Sequence, residues 1–222
     1  SDASLTISAN KTLNIKGNLI NEGTFSAADS SLVVFVGASD QSIGSAVTFS
    51  KVKFEQTNSG TKINAPYGIT VTGTATFNKG IVNGNMTFNA KAKALNVTNY
   101  ESFVAGTVTK KTGSSSETNF VFPTGSAASG QPKVLGSVQV ATLAGSKTTT
   151  VTFHQKSNDN GDGSHGFTLS DYPRWWNIND MCSNDGDNRF DHVSNYEYWD
   201  ISAALSGVTL KVDASSATAH FS

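Results

Sequence analysis

Three clusters in the second half of this 222-residue chain carry side chains that could do chemistry. The run Asn158-Asp159-Asn160-Gly161-Asp162-Gly163 approximates an Asp-x-Asn-x-Asp-Gly calcium loop, in which oxygens at alternate positions, here Asn158, Asn160 and Asp162, converge on a hard cation and glycine allows the sharp turn. Asn158 stands where Asp is usual, and Leu169 occupies the place of the bidentate Glu, so the loop is short of both charge and ligands. A polar turn between strands is the simpler account of it, and of the acidic turn Asn184-Asp185-Gly186-Asp187-Asn188. Tyr172-Pro173-Arg174-Trp175-Trp176 offers flat aromatic faces on which sugar rings stack, with Asn and Asp nearby to hold hydroxyls. The same two tryptophans could instead anchor a long loop, and Trp199, inside a strand pattern, reads as core.

Catalysis finds less support. Cys182, Asp191, His192 and Ser194 can be drawn into a triad, but no nucleophile-elbow or active-cysteine signature surrounds them. His154 and His165, with Asp162, lack zinc-site spacing. A polysaccharide-cleaving site needs gathered carboxylates, whereas Asp2, Glu22, Asp29, Asp40, Glu55 and Glu101 are scattered and mostly beside turn residues. The expectation is a protein without catalysis and without a cofactor, weak calcium binding being the one exception weighed.

Elements must position such residues, and composition limits which. Apolar residues make up 37%, charged residues only 15%, and 20 glycines suit a folded chain of many tight turns. With a formal net charge of −1 and no basic cluster beyond Lys110-Lys111, the chain lacks the electrostatic footprint of a nucleic-acid binder. The single cysteine excludes an internal disulfide framework, and no apolar run reaches membrane-spanning length. The absence of an initiator Met suggests a processed chain or a piece of a longer one.

Over the first hundred residues, apolar side chains recur two apart: Leu5 and Ile7, Leu13 and Ile15, Val47 and Phe49, Val52 and Phe54, Ile69 and Val71, Met86 and Phe88. That is the period of strands with one buried face. The segments also repeat. Leu13-Asn14-Ile15-Lys16-Gly17-Asn18-Leu19 resembles Ile69-Thr70-Val71-Thr72-Gly73-Thr74-Ala75, with Gly17, Gly23, Gly37, Gly44, Gly60, Gly73, Gly80 and Gly84 as candidate corners. Stacked coils of a right-handed parallel β-helix account for this best; antiparallel hairpins are the competitor. Thr70, Thr72, Thr74 and Thr76 would form a row of hydroxyls and methyls on one face, as ice-binding solenoids present. Such a surface needs the row on several strands. The corresponding positions elsewhere, Asn14 and Lys16 or Lys51, Lys53 and Glu55, do not extend it, so a solvated face is expected.

From Ser102-Phe103-Val104-Ala105-Gly106-Thr107-Val108-Thr109-Lys110-Lys111, through Asn119-Phe120-Val121-Phe122-Pro123-Thr124-Gly125 and Gln131-Pro132-Lys133-Val134, to His192-Val193-Ser194-Asn195-Tyr196-Glu197-Tyr198-Trp199-Asp200-Ile201, the chain resembles a pattern common in large secreted surface proteins of Bacteroidota. The upstream Asn21-Glu22-Gly23-Thr24-Phe25 is similar to coils that precede it there. The resemblance implies an exported, cell-surface or matrix protein of adhesin type, often very long and often sorted through type IX secretion. No sorting domain is seen here, so this chain reads as part of a longer one.

The expectation is therefore an all-β protein: a solenoid over 1–105, then a small β-sandwich-like unit over 106–222 that reads as truncated at its C-terminus. Its expected role is that of a non-catalytic structural or adhesive segment meeting surface polysaccharide or other surface proteins. A carbohydrate-binding module using Tyr172, Trp175 and Trp176, calcium-assisted through Asn158, Asn160 and Asp162, is the alternative; a polysaccharide lyase or hydrolase is third.

Overall fold

A computed structural model describes residues 4–129, 132–155, 197–202 and 206–214. The described residues form strands and no helix. The first eleven strands are β1 (Ser4–Ile7), β2 (Thr12–Ile15), β3 (Thr24–Ala27), β4 (Leu32–Phe35), β5 (Gln41–Ser42), β6 (Val47–Glu55), β7 (Lys62–Lys79), β8 (Ile81–Phe88), β9 (Lys93–Leu95), β10 (Val104–Ala105) and β11 (Val108–Lys111). Every pairing among them is parallel. Parallel neighbours this close in sequence cannot be hairpins; they are successive coils of a β-solenoid.

The register shows how alternation becomes a core. Leu13, Val33, Val52, Ala75 and Ala94 lie in one file across five coils, 20, 19, 23 and 19 residues apart. Two residues further along, Ile15, Phe35, Phe54 and Phe77 make a second file. Strands about 4.8 Å apart bring like side chains into contact, and the Phe35–Phe54 and Phe54–Phe77 ring centroids are 6.0 and 5.3 Å apart. The internal match between Leu13 and Ile69 drawn from sequence is corrected here: Ile69 files with Val47 and Met86, and Leu13 with Ala75. Coils of unequal length hide the true register from a fixed-period comparison.

Corners rest on asparagine and serine as much as on glycine. The turns 8–11, 28–31 and 89–92 each close with an N–H···O bond, from Lys11 to Ser8, Ser31 to Ala28 and Ala92 to Asn89. Their third residues, Asn10, Ser30 and Lys91, take positive φ. Asn side chains also join coils: the Asn83 amide donates to Asn64 Oδ1 at 2.8 Å, and Asn85 Oδ1 accepts the Thr107 N–H at 3.0 Å. Of the expected glycine corners, Gly17 has open space around it, whereas a Cβ on Gly84 would sit 2.2 Å from the Ala65 carbonyl oxygen of the coil below. Gly84→Ala is accordingly expected to lower stability by about 1–3 kcal/mol, and Gly17→Ala to change it little, in paired urea melts.

The remaining strands are β12 (Glu117–Phe122), β13 (Gly125–Ser126), β14 (Val134–Leu143), β15 (Thr148–Gln155), β16 (Glu197–Ile201) and β17 (Ser206–Ala214), and their pairings with one another and with β11 are antiparallel. They divide between two sheets. β15 and β16 extend the eleven-stranded solenoid sheet beyond β11, so that sheet runs across positions 105 and 106, while β12, β13, β14 and β17 form a separate four-stranded sheet. Phe120, Phe122, Val138 and Val140 of the second sheet join the same buried cluster as the coils, and Phe120 meets Phe88 edge-on at 5.3 Å. The four-stranded sheet thus closes the last coil. At the opposite end Leu5 and Ile20 remain 46% and 68% exposed. Gly125 lies in β13, and a Cβ there would meet the Val134 carbonyl and the Phe103 ring.

Candidate functional site

The clusters singled out in the sequence, Asn158, Asn160 and Asp162 with Tyr172, Trp175 and Trp176, lie outside the described residues, as do His165, Cys182, Asp191, His192 and Ser194. Register shows where the intervening stretch is attached: Gln155 ends β15 and pairs with Glu197, the first residue of β16. Residues 156–196 therefore leave and rejoin the sheet at one place. Trp199, read as core, is half-buried; its indole N–H donates to the Gly136 carbonyl at 2.9 Å and its ring packs on Phe153 at 5.3 Å.

Beside that attachment point is a groove of about 350 Å³. It opens because the two sheets part there. Val104 still bridges to Thr124 in parallel, but the next residues, 125–126, pair with β14 in the other sheet. Residues 105–106 and 125–128 form its walls, with 153–155 and Asn83 completing the lining. Two contacts hold the walls: the Val104 N–H donates to the Pro123 carbonyl at 2.7 Å, and Lys62 Nζ donates to the Ala127 carbonyl at 3.3 Å.

Among the described residues the lining is polar and contains no Lys, Arg, Asp or Glu, and His154 Nε2 is 2.8 Å from Asp200 Oδ2. Gln155 Oε1 is buried and has no hydrogen-bond partner among the described residues. A buried acceptor left unmade costs about 1–3 kcal/mol, so this oxygen calls for a donor. No three of His, Cys, Asp and Glu converge among the described residues. No helix of the described residues is long and apolar enough to cross a membrane.

No family model, curated protein or solved structure matches this chain. The site has to be read from its own geometry.

Two further features escaped the sequence reading. Thr74 and Thr76 stand beside Lys51 and Lys53, as expected, but Thr70 belongs to a straight file of Thr48, Thr70, Thr87, Thr109 and Thr150 on five neighbouring strands. The recurring triplets Val47-Thr48-Phe49, Ile69-Thr70-Val71, Met86-Thr87-Phe88 and Val108-Thr109-Lys110 carried that signal.

The second is Lys110, taken from sequence as half of a basic pair. It files with Phe49, Val71 and Phe88 and is fully buried. Its ammonium donates to the Asn89 and Ala92 carbonyls at 2.7 and 3.1 Å, lies 2.8 Å from Glu117 Oε2, and sits 5.2 Å from the centre of the Phe120 ring. Desolvation pushes its pKa down, and Glu117 partly offsets this. For Glu117, burial acts to raise the pKa, but hydrogen bonds from Lys110 and from the backbone N–H groups of Lys91 and Gly113, with the charge of Lys110, outweigh it and hold the carboxyl below its ordinary value.

Proposed function

We propose that this chain is a non-catalytic structural and adhesive segment of an exported bacterial surface protein. One observation carries the reading: a single buried cluster runs from Ile7 in the first coil to Val151 beyond the last, under uninterrupted strand pairing from β2 to β16. Such a stack is stiff, because each coil is ordered by its neighbours through ladder bonds and interdigitated side chains. The order of the motifs around Phe103, Phe120 and Tyr198 supports placement at a cell surface, by resemblance.

Pulling single molecules from their two ends tests the mechanical part. The coils are expected to peel one at a time, each releasing roughly 65–70 Å of chain for about 20 residues. Extension without resistance would contradict the rod, and new reducing ends or unsaturated sugars released from galacturonan, xylan or glucan would contradict the absence of catalysis.

Carbohydrate contact is the second reading, with Tyr172, Trp175 and Trp176 as stacking residues and calcium at residues 158–163. What favours it is that Gln155, the last described residue before the stretch 156–196, borders a groove whose described lining is rich in hydrogen-bonding groups.

A further inference from the structure

We infer that the outward face of the solenoid around Lys51, Lys53 and Lys93 is a docking surface for an acidic polysaccharide; this deepens the adhesive reading and rests on it. Register builds the surface. The apolar files that run from Leu13 and from Ile15 point inward, so their neighbours in each strand point out. Thr12, Leu32, Lys51, Thr74 and Lys93 make one outward file, and Asn14, Val34, Lys53, Thr76 and Leu95 make the next. One strand separates Lys51 from Lys93, which puts their Cα atoms about 10 Å apart, and Lys51 and Lys53 lie about 7 Å apart along theirs. Exposed lysines in the turns extend the patch on one border, Lys11 just before Thr12 and Lys91 two residues before Lys93. Charges this near add their potentials, since the Debye length is about 10 Å at 0.1 M salt. The sequence shows no basic run here because each coil delivers its lysines separately.

The carboxylates nearby leave the positive charge in excess. Glu55 is bridged to Lys53, and hydrogen bonds from Lys53 and Asn78 with the charges of Lys53 and Lys79 outweigh desolvation and hold its carboxyl below the ordinary value. Glu117, which accepts the Lys91 N–H, is matched by Lys110, and Asp29 lies in the turn 28–31. Lys51 and Lys93 have no carboxylate partner among the described residues. Charge therefore selects an anion, and the rest of the face selects a sugar polymer. Strands of four residues such as β2 and β4 make a strip roughly 13 Å wide, room for one extended chain. Thr12, Asn14, Thr74 and Thr76 stand between the lysines with hydroxyls and a carboxamide for sugar hydroxyls, and neither file holds an aromatic ring on which a nucleobase could stack. Ladder pairing fixes the strip beforehand, so binding pays little to order it.

The test is calorimetric titration of the full chain with oligogalacturonate and oligoalginate at low and at high salt, with neutral mannan oligomers, duplex DNA and anionic phospholipid vesicles alongside. The acidic oligosaccharides are expected to bind at low salt and to weaken as salt is added. Lys51→Gln/Lys93→Gln should weaken that binding roughly tenfold with an unchanged urea midpoint. Lys111→Gln/Lys147→Gln removes the same charge from exposed positions elsewhere and should change it little. Equal weakening by the two variants overturns the inference, because net charge would then suffice. So does tighter binding to mannan, DNA or vesicles. Binding lost only in Trp175→Ala/Trp176→Ala overturns this face while keeping carbohydrate contact; no binding by the folded chain overturns the face and leaves the rod to the pulling experiment.

Discussion

Glu117→Leu is expected to destabilise the protein by about 3–5 kcal/mol at neutral pH, read as a fall in the urea midpoint. The carboxylate it removes is the counter-charge to a fully buried ammonium, and the carbonyls of Asn89 and Ala92 cannot replace a charge. Loss of the lysine proton caps the cost, since neutralising an amine of ordinary pKa 10.5 at pH 7 takes about 4.8 kcal/mol. Lys110→Met/Glu117→Leu is expected to recover most of the loss, because an apolar pair of similar bulk needs no solvation. A double variant as unstable as Glu117→Leu alone would show that packing, and not charge, governs this place.

The same pair sets a pH response. Glu117 has a folded-state pKa below its unfolded value, so its contribution is fully present above about 4.5 and is lost as pH falls through the lower folded value. Lys110 acts in the other direction: its lowered pKa makes the charged form a burden in the fold, relieved as pH rises toward 10.5. Acidification therefore protonates Glu117 while Lys110 stays charged, and the junction between the turn 89–92 and β12 loses its tie. Urea melts between pH 3 and 7 should show a steeper acid loss in the native protein than in the double variant.

Phe54→Ala is expected to cost a further 3–5 kcal/mol or so and to lower Tm by roughly 10 °C. Phe54 is fully buried and touches Phe35 on one side and Phe77 on the other, so truncation opens a void in the middle of a stack. The neighbours cannot collapse into it, because each is fixed by its own strand's ladder. Phe25→Ala, at a partly buried ring whose contact is Phe49 near the open end, should cost clearly less. Equal losses at the two positions would mean that the core is not graded from middle to end.

How much of this was legible depended on whether a residue's role was local. Alternation such as Val47 and Phe49 marked the buried face because period two is a property of the strand itself. The stacking order was only partly legible. Coils of 17 to 24 residues shift the register, and with it the threonine file, out of any fixed repeat. Lys110 stands in the sequence only as half of a basic pair; its alternation with Val108 points it inward, but only Glu117, brought close by the fold, makes that tolerable. The groove left no mark in the sequence, since it arises where two sheets diverge and its walls come from Ala105, Gly106 and Ala128, small residues with no chemistry of their own.

The parallel register also bears on how the chain reaches its fold. All-β proteins ordinarily fold slowly because their strands pair across long stretches of sequence. Here each coil pairs with one about 20 residues earlier, roughly a tenth of the chain length and closer to a helical bundle than to a sandwich. The coils can therefore zip in order from a first nucleus, each laid on the one before. The closing sheet is completed late: β12, β13 and β14 pair with one another locally, but β14 must await β17, and Lys211 reaches back 113 residues to the Thr98 carbonyl. A fast phase for the coils and a slow one for the closing sheet follow from topology alone.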